Sequence, residues 1–236
     1  MSQDIEGEET LLARYETKYL LNEKQKEELL NRLATMIKPD LYPEETIMSL
    51  YYDNENHDLV IRSLDKPVYK EKIRLRSYGI PKEDSIVFLE FKRKFNKVVY
   101  KRRYPLPYNE AVDFMSGKKI SEHNQILKEL GYAKDFYQLK PSYLLSYDRV
   151  SFVSKNEPAV RLTFDSEVMG RDYDLDLTKG IYGKQINPQG TVLLEIKCLG
   201  SMPIWLVKNL SELKIYNTSY SKYGNAYREQ YESMNQ

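Results

Sequence analysis

Apolar and polar side chains alternate along much of the chain, and changes in the period of that alternation mark out its elements. Residues 12–21 alternate at period two and read as a strand. Asn22 follows, with Gln25 three positions on, the spacing of a capping box at a helix start. Leu29, Leu30, Leu33, Met36 and Ile37 then recur at helical spacing, and Pro39 is expected to stop that helix. Strand-like runs cover 46–53, 68–78, 85–95 and 97–104, with a short helix or loop over 55–65 and turns at 79–84 and Asn96. Residues 107–117 and 122–131 predict helices ended by Gly117 and Gly131. Strands return at 139–153, 158–169 and 190–199, and helices are expected at 203–213 and 220–232. Eight strands without a β-α-β rhythm predict an α+β fold, a closed antiparallel β-barrel of about eight strands, tunnel-like, with peripheral helices. No repeat or low-complexity tract divides the 236 residues. The expectation is a single domain over 1–236, with 1–10 a flexible N-terminus.

Composition narrows the class. At 41% hydrophobic the chain can bury a real core. Its 36 Lys and Arg against 35 Asp and Glu give a net charge of +1, which argues against nucleic acid or an anionic membrane drawn by bulk charge. Cys198 is the one cysteine, so no intramolecular disulfide can form. The first ten residues are acidic and lack the order of a signal peptide, and no stretch approaches the roughly 18 apolar residues of a membrane span. A cytoplasmic chain with no direct membrane insertion is the expectation. The 21 tyrosines suit half-buried sheet positions.

Charge is distributed by face. Residues two apart on a strand share a face. On that rule Arg14, Glu16 and Lys18 lie together, as do Lys72, Arg74 and Arg76, Glu90 and Lys92, Lys101 and Arg103, Arg161, Thr163 and Asp165, and Glu195 and Lys197. One such strand is what any sheet with a wet face shows. Six of them, rolled into a barrel with apolar faces outward, would line a tunnel with charge. Lys18, Arg74, Arg76, Lys92, Lys101, Arg103, Arg149, Arg161, Lys197 and Lys222 are ten basic candidates against four acidic ones, Glu16, Glu90, Asp165 and Glu195, which leaves six positive charges in excess. Enclosed, that excess calls for a dense anion, and a triphosphate or longer phosphate chain suits it because guanidinium groups bind phosphate bidentately. The carboxylates would then hold Mg²⁺ or Mn²⁺, hard cations that bridge phosphates.

Eight short motifs occur in order: Arg14-Tyr-Glu-Thr-Lys-Tyr19, Ile73-Arg-Leu-Arg-Ser-Tyr-Gly79, Leu89-Glu-Phe-Lys92, Lys101-Arg-Arg-Tyr104, Tyr147-Asp-Arg149, Arg161-Leu-Thr-Phe-Asp165, Leu194-Glu-Ile-Lys197 and Tyr220-Ser-Lys-Tyr223. As an ordered set, over roughly residues 11 to 228, they resemble the catalytic domain of the vacuolar transporter chaperone polyphosphate polymerases, within the triphosphate tunnel metalloenzymes. The resemblance implies that Lys18, Arg74, Arg76, Lys92, Lys101, Arg149, Arg161 and Lys222 hold phosphates and that Glu195 binds the metal. Arg103, Lys197, Ser221 and Glu16 are further candidates for binding the substrate. Where tunnel triphosphatases carry Glu-x-Glu-x-Lys on the first strand, this chain has Arg14-x-Glu16-x-Lys18, a loss similar to the polymerase branch. A family lysine three positions before the last corresponds to Ser219.

The expected reaction is transfer of the γ-phosphate of ATP to phosphate or polyphosphate. A metal-dependent triphosphatase and a silent polyphosphate-binding domain are the alternatives, and a separate membrane protein that receives the product is a compatible partner. There is no Gly-x-x-x-x-Gly-Lys loop. His57 and His123 lack metal-ligand spacing and read as surface residues. Cys198 reads as a buried thiol on the apolar side, Trp205 as a helix core residue, and Lys24–Glu28 and Lys118-Lys119 as solvated.

Overall fold

The computed structural model describes residues 14–232 except 66, 97, 121–123 and 158. The N-terminal segment 1–10, Lys97 and His123 therefore lie outside the described residues.

Strand β1 (Arg14–Asn22) alternates as expected, with Tyr19 and Leu21 buried on one side and Glu16 and Lys18 on the other. Asn22 then caps α1 (Glu23–Leu33). Its side chain accepts from the Gln25 amide at 2.8 Å, and the Gln25 side chain accepts from the Asn22 amide at 3.1 Å. Leu29 and Leu33 are fully buried, each stabilising the fold by about 1.5–3 kcal/mol. The helix ends earlier than its apolar spacing suggests. Ile37 opens β2 (Ile37–Asp53), where it pairs with Ser154, and Pro39 lies within that strand. Backbone pairing to a distant strand overrides a helical pattern that Met36 and Ile37 would have extended. The pairing is irregular between Pro39 and Glu44, the segment that also holds Pro43, as a residue without an amide donor requires.

After α2 (Asp58–Leu64) come β3 (Tyr69–Tyr78), β4 (Ile86–Phe95) and β5 (Val98–Pro107), an antiparallel meander turning at Asn96 with φ 44°. Helix α3 (Tyr108–Ser116) ends at Gly117, whose φ of 93° is left-handed. Helix α4 (Gln125–Tyr137) instead runs through Gly131 and stops at Gln138, also left-handed. Gly131 lies within that helix rather than ending it, and an added Cβ would meet the Phe114 ring only at ordinary contact distance, 3.7 Å. The chain continues through β6 (Lys140–Ser154), β7 (Arg161–Arg171), the two-residue β8 (Lys184–Gln185), β9 (Thr191–Leu199), α5 (Ile204–Glu212) and α6 (Lys222–Tyr227), which passes into a π-helical turn over Arg228–Glu232. No helix of the described residues is long and apolar enough to cross a membrane.

The strands form one antiparallel sheet of nine, ordered β1-β9-β7-β6-β2-β3-β4-β5, with β8 beside β7. The closed barrel is thus not formed. The sheet curls but stays open, with β1 and β5 as its unjoined ends. The physical reason lies at the edge of β1. Its backbone is already engaged by the segment before α6: Tyr19 bridges to Asn217, and the Thr218 amide donates to the Lys18 carbonyl at 2.7 Å. That segment covers the edge that β5 would need.

Helices α3 and α4 pack on the convex side of β3–β5, against Val87, Leu89, Phe91 and Leu106. Helices α1 and α5 cover β1, β9 and β7 around Leu194, Ile196 and Leu162, and Cys198 is buried there. A third cluster joins Tyr51, Tyr143, Tyr147 and Val168 to Tyr223 and Ala226 of α6, which therefore sits on the concave side. Trp205 packs against the second cluster and donates to Glu157 at 3.1 Å. His57 is half-buried rather than a surface residue, its ring 4.7 Å from that of Tyr231 and its Nδ1 3.3 Å from the Ser142 hydroxyl.

Candidate functional site

Strand register gathers the charged positions on the concave face. Lys18 stands opposite Glu195, Glu16 opposite Lys197, Arg149 opposite Asp165, Arg74 opposite Glu90, and Lys72 and Lys101 flank Lys92. These pairs come from β1, β9, β7, β6, β3, β4 and β5, and α6 adds Ser221 and Lys222 from above. Residues up to two hundred positions apart share one surface because the sheet curls.

Three buried carboxylates organise the cations. Glu90 receives Arg74 at 2.6 Å and Lys101 at 2.9 Å, with Arg76 at 3.9 Å. Asp165 receives Arg149 through two parallel hydrogen bonds of 2.6 and 2.8 Å, and Lys222 on the same carboxylate. Glu195 receives Lys197 at 2.7 Å and Lys18 at 3.6 Å, and Lys18 also reaches Glu16 at 3.4 Å. Burial alone would push each acid upward. For Glu90 the charges of Arg74, Arg76 and Lys101 outweigh it, for Asp165 those of Lys222 and Arg149, and for Glu195 those of Lys197, Lys18 and Lys222. All three therefore stay ionised, held below the ordinary carboxylate range.

Two phenols complete the wall. Tyr147 accepts from Arg76 at 3.3 Å, and the Lys222 ammonium lies 4.3 Å from its ring centre. Burial raises its pKa, but Arg76, Arg149 and Lys222 bring it below the usual phenol value. Tyr51 accepts from Arg74 at 2.9 Å and stacks on Tyr223 at 4.4 Å. Ser49 accepts from Arg76 at 3.4 Å.

One end of this wall remains uncompensated. Lys72 and Lys92 have no carboxylate within 4.0 Å among the described residues. Burial, then Lys92, Lys18, Lys70 and Arg74, brings the Lys72 ammonium down to about 7. Burial, then Lys18 and Arg74, lowers Lys92 as well, against the opposing pull of Glu16 and Glu195. Lys101 is also lowered, chiefly by burial. Lys72 donates to the Ser221 hydroxyl at 3.0 Å, and that hydroxyl also accepts the Gly224 amide as the cap of α6.

Most sequence-predicted site residues meet here: Lys18, Arg74, Arg76, Lys92, Lys101, Arg149, Lys197, Glu16, Glu195, Ser221 and Lys222. Arg161 stands opposite Lys197 in register, but its guanidinium turns to Asp40 of β2 at 2.7 Å. Arg103 lies on the same face, exposed, over the Phe88 ring. Sequence reasoning overlooked Tyr51, Ser49 and Tyr147 and left Lys72 out of the phosphate wall. Tyr147 was findable, two positions before Arg149 on the same face. Tyr51 and Ser49 lie in a Ser-Leu-Tyr-Tyr-Asp run that is buried throughout and carries no alternation to read. Charge on the convex face was also unforeseen, where Arg93 reaches Glu71 at 3.1 Å and Glu129 at 3.2 Å and ties α4 to the sheet.

No cluster of three or more His, Cys, Asp or Glu side chains able to hold an ion occurs among the described residues. Glu195 and Glu16, on either side of Lys18, are hard oxygen donors in a cationic wall. They fit a small cation that takes its other ligands from phosphate and water, as Mg²⁺ and Mn²⁺ do.

The VTC domain family matches residues 13–231. Subunit 4 of the vacuolar transporter chaperone complex of Schizosaccharomyces pombe is 26% identical over 150 residues, which cover 53% of this chain and 20% of that protein. The match thus spans about a fifth of that relative's length. A proposed adenylate cyclase of Bacillus halodurans shares the fold, with a TM-score of 0.56, 13% identity, and 92% of this chain and 96% of that one covered. A proposed adenylyl cyclase of Hippeastrum with a dominant triphosphatase activity gives a TM-score of 0.49 at 15% identity, covering 89% and 93%.

Proposed function

Since the chain belongs to the VTC domain family, we propose that it is a phosphotransferase that moves the γ-phosphate of ATP onto a phosphate or polyphosphate chain held along the concave face. The observation that carries this reading is the charge pattern. Glu90, Asp165 and Glu195 each order two or three cations, while Lys72 and Lys92 stand on the same face with no carboxylate within 4.0 Å among the described residues. A chain of phosphates supplies charge in that linear form, and a single carboxylate or sulfate does not.

In the proposed reaction a terminal oxygen of the acceptor attacks the γ-phosphorus. The bond from that phosphorus to the β-γ bridging oxygen breaks, ADP leaves with the electron pair, and the acceptor grows by one unit. No serine or cysteine nucleophile is required, since an acceptor oxygen can attack in line. Arg74, Arg76, Arg149, Lys18 and Lys222 position the phosphates and neutralise the charge that spreads over the equatorial oxygens. Tyr147 and Tyr51 hold those guanidinium groups in place. Glu195, with Glu16 beside it, would hold Mg²⁺ or Mn²⁺, which when bound lends Lewis acidity to phosphate oxygens.

A cytoplasmic location and a separate membrane protein that takes up the product belong to the same proposal; the fission-yeast relative is named as one subunit of a complex. Incubation of the purified chain with ATP and Mn²⁺, resolved by gel and ³¹P NMR, tests the reading. Internal phosphate resonances and lengthening ladders are expected. Release of orthophosphate alone would make it a triphosphatase, and no turnover with retained polyphosphate binding would make it a binding domain.

A further inference from the structure

Two aromatic rings on the concave face take no part in any core cluster of the fold. Tyr78 continues the row of Lys72, Arg74 and Arg76 on β3, and Phe88 stands directly opposite Arg76 on β4. The rings meet edge to face at 5.9 Å, and the Arg103 guanidinium of β5 lies 4.8 Å over Phe88. Tyr78 is 42% exposed, Phe88 is half-buried and Arg103 is exposed. Arg103 stands opposite Glu90 in register, yet Glu90 is taken by Arg74, Arg76 and Lys101, and Arg103 has no carboxylate within 4.0 Å among the described residues. Two aromatic rings beside an unpaired guanidinium make a small aromatic and cationic patch, a combination suited to a flat aromatic ligand.

Their position identifies the occupant. Two residues along a strand span about 7 Å, so Tyr78 lies one side chain beyond Arg76, where the phosphate wall ends, with Phe88 level with Arg76 on the neighbouring strand. A ligand that is polyanionic along Arg74 and Arg76 and flat and aromatic one step further on is a nucleoside triphosphate, with its ribose bridging the interval. We propose that Tyr78, Phe88 and Arg103 form the nucleobase subsite of the phosphate-binding face, with the base stacked on one of the two rings, met by the edge of the other and bordered by the Arg103 guanidinium. The inference rests on the proposed phosphate site and fixes the direction of the nucleotide, base toward the Tyr78 end of β3 and γ-phosphate toward Lys72 and Lys92. It also separates donor from acceptor, because inorganic polyphosphate has no use for the rings.

The test uses the full chain and two ligands that share a triphosphate, ATP and inorganic tripolyphosphate, with affinities measured calorimetrically. Phe88→Leu, which keeps an apolar side chain, is expected to weaken ATP about tenfold, the usual worth of one stacked base, and to leave tripolyphosphate within twofold. Tyr78→Ser, at an exposed position, guards against a folding artefact and is expected to act the same way. The triphosphate of 2-aminopurine riboside should lose fluorescence on binding the wild type and much less on binding either variant. Unchanged ATP affinity, or equal losses for both ligands, overturns the subsite while the phosphate wall stands. Failure of the wild type to bind either ligand would overturn the wall and the subsite together.

Discussion

Lys72 and Ser221 lie 149 positions apart, yet the lysine ammonium donates to the serine hydroxyl at 3.0 Å. The contact ties β3 to the cap of α6, and it gives the ammonium a neutral partner where most cations of the wall have a carboxylate.

That difference predicts a pH dependence. Buried, and with Lys92, Lys18, Lys70 and Arg74 around it, Lys72 is brought down to about 7 in the empty fold against 10.5 when unfolded. Between those values the unfolded chain binds the extra proton, so stability of the empty protein should rise with pH across that window. Phosphate binding restores the charge and must draw in a proton above pH 7. Tripolyphosphate affinity should weaken there, by up to about tenfold per pH unit. Lys72→Arg, whose charge is fixed, should flatten both slopes. Identical slopes in the variant, read by calorimetry over pH 6–9, would place the titration elsewhere.

Arg74 and Arg76 differ in their partners and should differ in consequence. Either change to Ala should weaken binding of an ATP analogue by about 1.5–3 kcal/mol. Arg74 gives up a 2.6 Å pair with buried Glu90, so Arg74→Ala should also lower the melting temperature more than Arg76→Ala, whose contact with Glu90 is 3.9 Å. Binding equal to the wild type in both would remove these residues from the site.

Phosphate chains should stabilise the fold beyond what ionic strength does. Cations without a carboxylate partner repel one another until a polyanion spans them, so tripolyphosphate should raise the melting temperature far more than sulfate at equal ionic strength. Matching shifts from the two salts would mean ordinary screening.

Glu195 offers a way to part chemistry from binding. Its carboxylate is shared between Lys197 and Lys18. Glu195→Gln keeps its shape but removes the charge a hard cation needs. Turnover is expected to fall about a hundredfold, or about 2.7 kcal/mol of transition-state stabilisation, with metal-free polyphosphate binding retained. A variant with full activity and the wild-type metal requirement would show that Glu195 only steadies Lys18 and Lys197.

The faces of the strands were legible in the sequence because strand geometry is local. A side chain's side is fixed by the two-residue repeat of its own backbone, so Lys18, Arg74, Glu90 and Glu195 could be assigned to one surface without knowing any neighbour. The cap at Asn22 and the turn at Asn96 are local for the same reason. The end of α1 was decided by a tertiary partner, Ser154 for Ile37. Whether the sheet closes was decided furthest from any local rule. Closure depends on which backbone meets the edge of β1, and residues 217–218 meet it from the other end of the chain. The same fold brings Tyr51 and Ser221 to the cations, contacts set by curvature and helix placement that no periodicity encodes.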